Sequence, residues 1–195
     1  MKAFIIICSL FVSVQVSAQT VLPAAIQIKT ALLAAPPELR ADATVIGYSP
    51  AGKFITLKKG TGALVCLADD PKIKGIKVAS YSVKLEPFMA RGRQLAEEGK
   101  TALQKKEIRD REVKEGKLKI ADSPTTLTVY SGKEENYNPS TGELKDGNFR
   151  YVVYVPYATL ASSGLPAKPS QPGMPWLMYP GTYDAHIMIS PPEKE

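Results

Sequence analysis

The feature that most constrains this chain is its first eighteen residues, because they decide which covalent cross-links the rest can use when it folds. Lys2 supplies a short positive start, and Phe4 to Val16 is an apolar run interrupted by Cys8, Ser9, Ser13 and Gln15. Val16-Ser17-Ala18 then places small residues at the third and first positions before Gln19. That is the pattern of a secretory signal peptide, Met1–Ala18, with cleavage before Gln19. The run is shorter than the roughly 20 apolar residues that span a bilayer, and no second run of that length follows. Cys8 lies inside the run rather than at its end, which disfavours a lipid-anchored cysteine. The expected location is therefore secreted or periplasmic, with no transmembrane helix after processing. Of the 2 cysteines, Cys8 leaves with the leader and Cys66 remains. An exported chain with one cysteine has no internal disulfide, so its stability must come from packing. Cys66, between Leu64-Val65 and Leu67, is expected to act as a small buried hydrophobe.

Residues 19–190 are of a length that suits one domain with a real core, and 44% hydrophobic content supports a globular chain. Pro23 and the face Ile28, Ala31, Leu32 and Ala35 predict a short N-terminal helix over 24–35, ended by Pro36-Pro37. Residues 43–48, 53–57 and 63–68 predict a meander of three strands, with Ser49-Pro50-Ala51-Gly52 as the first turn. Leu85, Phe88, Met89, Gly92, Leu95, Ala96, Gly99, Ala102 and Leu103 form one narrow stripe, which predicts a long helix from 85 to about 115. The small residues on that stripe suggest close packing against a sheet. From Lys105 to Glu115 the charges alternate, with Glu107–Arg111 and Asp110–Lys114 as acid-before-base pairs. That half is expected to project as a solvated face or arm. Further strands are expected at 127–130, 149–157, 176–179 and 185–189, with Tyr179-Pro180-Gly181-Thr182 as a type II turn. Residues 191–195 read as a flexible tail. The fold class is α+β: a small antiparallel sheet packed against one long helix, with a short N-terminal helix.

Much chemistry is excluded by pattern. Gly47-Tyr48-Ser49-Pro50-Ala51-Gly52 has one residue too many for a nucleophile elbow, and no phosphate-binding glycine loop exists. Gln19–Glu195 holds a single histidine, His186, and a single cysteine, which is too few for a zinc site; no metal and no cofactor is expected. Between Lys84 and Lys119 lie 11 basic and 7 acidic residues; the interleaved acids argue against nucleic acid as a partner. The net charge of +6 suits a solubilised surface, or outside the cytoplasm an acidic polymer or anionic lipid.

The segment from Met174 to Ile189 holds the only tryptophan and histidine, together with Tyr179 and Tyr183 around a tight turn. Aromatic rings with polar tips suit a flat ligand or a sugar. Trp176, Tyr179, Tyr183 and His186 are thus candidate ligand-binding residues of a non-enzymatic binding or interaction protein. The competing reading is a hydrolase that uses His186 as acid or base with Asp184 or a neighbouring hydroxyl. Equally, Trp176 and His186 could serve to close the end of the sheet. Partners compatible with these readings are a small molecule, a glycan or an envelope protein docking on the charged helix.

The phrase from Met174 to Thr182, continued by Ala185-His186-Ile187-Met188-Ile189, resembles an uncharacterised family of exported bacterial proteins. Leu85 to Arg93 and Gly60 to Leu67 are similar to other stretches of that family. The resemblance implies an exported α+β protein and carries no activity. In it, some relatives hold Cys-Tyr-His before the helix, where this chain has Ser80-Tyr81-Ser82. A disulfide partner for Cys66 and a second imidazole are then missing here.

Overall fold

The computed structural model describes residues 21–192. The signal peptide expected at Met1–Ala18 and the last three residues of the expected tail lie outside the described residues. Helix α1 (Ala24–Ala31) continues into a 3-10 turn, Leu32–Ala34, before Pro36. Strands β1 (Thr44–Tyr48), β2 (Phe54–Lys58), β3 (Leu64–Leu67) and β4 (Ile76–Ser82) follow. Next come α2 (Glu86–Glu97), α3 (Ala102–Lys114) and β5 (Thr125–Gly132). The chain ends with β6 (Tyr137–Asn138), β7 (Glu143–Leu144), β8 (Asn148–Tyr154), α4 (Leu160–Ser163), β9 (Trp176–Met178) and β10 (His186–Ile189). Among the described residues no helix is long and apolar enough to cross a membrane.

The expectation of a small antiparallel sheet against one long helix is overturned. Among the described residues the fold is a mixed α+β fold whose sheet has eight strands in the order β2-β1-β3-β4-β5-β8-β10-β9. The pair β1–β3 is parallel, and the other pairs are antiparallel. The three early strands are therefore not a meander. Hairpin β1–β2 turns at Ser49–Lys53, then the chain passes back across the start of β1, where Gly62 donates to the Asp42 carbonyl at 2.8 Å. This return lays β3 on the other side of β1, running the same way, and leaves β2 at the sheet edge.

The long helix is two helices. Gly99 adopts a φ of +74°, open to glycine at little cost. Lys100 N–H donates to the Leu95 carbonyl and Gly99 N–H to that of Ala96, which is a Schellman stop for α2. Thr101 then caps α3 in a capping box with Gln104. The charged half does not project. Arg91 grips the Glu112 carboxylate with two nitrogens at 2.7–3.0 Å, which holds α3 against α2. Of the two expected charge pairs, Asp110–Lys114 forms at 2.7 Å.

The period-two alternation of the strands divides the core between two faces of the sheet. Val45 and Cys66 pack with Ala31 and Ala35 on the α1 side. Ile46, Val65 and Tyr81 pack with Leu85 on the α2 side. Farther along that second face, Phe88, Leu118 and Tyr183 form a third cluster with Tyr154. Cys66 is fully buried and forms no disulfide among the described residues. Burial pushes its thiol up to about 11.

Candidate functional site

The five residues singled out at the C-terminal end do not share one open pocket. Tyr183 is buried beside Phe88, with ring centroids 6.0 Å apart, and its hydroxyl donates to the Lys106 carbonyl at 3.0 Å. Desolvation pushes that phenol up to about 12. His186 is buried against Tyr154, and its Nδ1 lies 2.7 Å from the backbone oxygen of Asp184. Desolvation lowers its pKa, which favours the neutral ring. The Asp184 carboxylate is engaged elsewhere: it accepts from Thr182 Oγ1 at 2.7 Å and lies 3.8 Å from Lys106 Nζ. His186 and Asp184 thus touch through the main chain rather than as an acid–base pair. Tyr179 is exposed, and Lys106 Nζ sits 3.4 Å from its ring centroid. Trp176 pairs with Met188 across the β9–β10 ladder. It lines a separate 490 Å³ groove with Arg150, Pro172 and Met174.

Among the described residues, besides an open 490 Å³ groove along residues 120–124 and 155–158, two cavities stand apart from this segment. The first, of 270 Å³, lies between α1, the turn after Asp69 and the segment around Tyr137; Leu22, Thr30, Asp69, Ile73, Glu134 and Tyr137 line it. Desolvation pushes Asp69 up to about 6, and the neighbouring Asp70 and Glu134 charges add to it, against a 2.7 Å hydrogen bond from Lys77 N–H. Between the ordinary value of 3.8 and about 6 the folded protein therefore holds a proton that the unfolded chain has released. In sign, this makes stability greatest below the ordinary value and lowers it as pH rises through about 6. Asp69→Asn keeps an acceptor for Lys77 and removes the charge. A shift of about two units corresponds to ~3 kcal/mol, which partial exposure reduces to about 1 kcal/mol. The variant is expected to be more stable than the parent by that amount at pH near 7.5, with no difference near pH 3.5, in urea unfolding at both values.

The second cavity is a 380 Å³ cleft between the α2–α3 pair and the sheet. Its floor is apolar: Leu67 of β3, Leu127 and Val129 of β5, and the Tyr48–Phe54 ring pair at 4.7 Å. Its roof is Met89, Gly92 and Ala96 of α2. The small residues of that stripe do not bring the helix down onto the sheet here: Gly92 makes room for Arg109, whose Nη1 would lie 3.2 Å from a Cβ at that position, and Ala96 leaves part of the cleft open. Four cations line the cleft: Lys77, Arg93, Lys105 and Arg109. Arg93 is neutralised by Glu86 and also donates to the Tyr81 hydroxyl at 2.8 Å. Tyr81 in turn donates to Glu86 at 2.7 Å. Lys77, Lys105 and Arg109 have no carboxylate within 4.0 Å among the described residues. The Arg109 guanidinium lies 4.1 Å from the Phe88 ring centroid, which fixes it without cancelling its charge. Asp70 is the acid in the lining, and its Oδ1 accepts from Lys72 N–H at 3.0 Å.

Sequence reasoning treated Lys105 and Arg109 as part of an alternating-charge face. The signal it passed over is that they stand four apart with like charge, an unfavourable spacing on a helix. Among the described residues no group of three or more histidine, cysteine, aspartate or glutamate side chains is placed to hold a metal ion. No protein-family model, curated protein or solved structure matches this chain.

Proposed function

We propose that this is a non-catalytic binding protein, acting outside the cytoplasm, that holds a small molecule in the cleft between α2–α3 and the sheet. The observation that carries the reading is the cleft itself. At 380 Å³ it has the size of a small-molecule site, about 300–1,000 Å³, with an apolar floor and a few placed polar groups. The leader-like Met1–Ala18 supports the compartment. The expected binding role of the C-terminal segment moves to this cleft. Tyr183 and His186 are spent on packing, and Lys106 joins Tyr179 and Asp184 to α3.

Ala96→Leu tests the site, because leucine suits a helix interior and its side chain enters the cleft. In a fluorescence titration with anilinonaphthalene sulfonate, the parent is expected to show saturable one-to-one binding. The variant is expected to bind about ten-fold more weakly, a difference of ~1.4 kcal/mol, with an unchanged thermal midpoint. Equal affinity in the two proteins would place the probe elsewhere and overturn the reading.

A further inference from the structure

We infer that the cleft selects a ligand with one anionic head on an apolar body, an inference that rests on the cleft being the binding site. Three of its four cations lack a carboxylate partner among the described residues, while Asp70 is the acid in the lining. Two of the three, Lys105 and Arg109, project from the same face of α3 at a spacing where like charges repel. Arg109 Nε donates to the Lys105 main-chain carbonyl at 3.4 Å and the guanidinium lies over Phe88, which keeps the Arg109 charge on the face that carries Lys105. An anion placed between them relieves that repulsion.

The floor beneath these cations has no charge to offer. Leu67, Leu127 and Val129 lower the local dielectric, which strengthens a charge–charge contact made above them. A neutral apolar molecule would fill the floor and leave the cations as they are. A cationic one would add to the repulsion. A polyanion such as nucleic acid needs a continuous basic track, whereas these cations gather around one short open cleft, and acids are interleaved with the bases along α2 and α3. The chemistry that fits is a monocarboxylate or monosulfonate carrying an alkyl chain or a flat ring, the latter stacking on the Tyr48–Phe54 pair.

The test is calorimetric titration of the purified chain with octanoate, 1-octanol and octylammonium, which share one apolar body. Octanoate is expected to bind about ten-fold or more tighter than 1-octanol, and octylammonium the most weakly. Lys105→Gln is expected to weaken octanoate by about three- to ten-fold, from a partly buried charge contact of ~1 kcal/mol, and to leave 1-octanol unchanged. Arg109→Gln should do the same; because it also removes the contact with Phe88, Lys105→Gln is the decisive variant. Raising the salt concentration should narrow the gap between octanoate and 1-octanol. If 1-octanol binds as tightly as octanoate, or Lys105→Gln weakens both equally, the anion preference is wrong and the cleft remains a binding site. If none of the three binds, both the preference and the cleft reading fall.

Discussion

Gln27→Leu is expected to lower the unfolding free energy by about 3 kcal/mol, because it leaves three backbone groups without partners. The Gln27 amide does the work of a missing strand. Strand β3 accompanies β1 only as far as the pair Ile46–Leu67. Beyond it, Gln27 Oε1 accepts from Tyr48 N–H at 2.8 Å, and Nε2 donates to the Tyr48 carbonyl at 2.9 Å. The same nitrogen donates to the Leu22 carbonyl at 2.7 Å. Gln27 is 7% exposed, and its bonds to Tyr48 are buried, while Leu22, whose carbonyl takes the third bond, borders the 270 Å³ cavity beside α1. Leucine matches its size and supplies none of these bonds. Urea unfolding measures the loss; a change below about 1 kcal/mol would mean that water enters and satisfies the strand end.

Gly47→Val is expected to cost about as much, ~2–3 kcal/mol, by overpacking the same region. A Cβ at Gly47 would press on Leu57 Cδ1 and lie 2.6 Å from Gln27 Oε1 and 3.2 Å from the Ala68 Cβ. The Leu57 methyl can swing away, but Gln27 Oε1 cannot move without releasing Tyr48. The absent side chain at position 47 is thus what lets the amide reach the strand. The two sites should couple: Gly47→Val in a Gln27→Ala background is expected to cost at least about 1 kcal/mol less than in the parent. Full additivity of the two changes would show that Leu57 and Ala68, not Gln27, carry the strain.

Local structure was legible where a residue type forces the backbone. The strands around Val45, Ile55 and Val65 follow their apolar alternation, and Tyr179-Pro180-Gly181-Thr182 turns with Gly181 at φ +76°. The helix stripe misled because Gly99 and Ala102 continue its periodicity. The small size that lets Gly99 sit on an apolar face is also what lets it stop the helix, and the Thr101–Gln104 box marks the restart. Strand β4 was missed because Gly75-Ile76-Lys77-Val78-Ala79-Ser80 mixes polar and small residues. It is a central strand, with Val78 and Tyr81 buried and Ser80 donating to the Ala34 carbonyl at 2.7 Å. The parallel pairing of β1 with β3 depends on the path from Lys59 to Ala63, which no strand pattern encodes.

The site was less legible than the fold, for a reason of distance. Lys77 stands on β4 and Lys105 and Arg109 on α3, two stretches far apart in sequence that meet only when α3 folds back over the sheet. The aromatic segment near the C-terminus, conversely, is dense in sequence, and its density serves the core: Tyr183 and His186 pack with Phe88 and Tyr154.

The buried thiol in β3 gives the fold a built-in clock. Cys66 has no exposed surface, and its raised pKa suppresses the thiolate that alkylating reagents attack. Position 66 can therefore be labelled only during moments when the cover formed by α1 and the segment through Ala35 lifts from the sheet or the strands beneath it part. With labelling fast relative to closing, the rate of modification counts those openings. Run without denaturant, that measurement reads the Gln27 and Gly47 variants as changes in how often this side of the core opens.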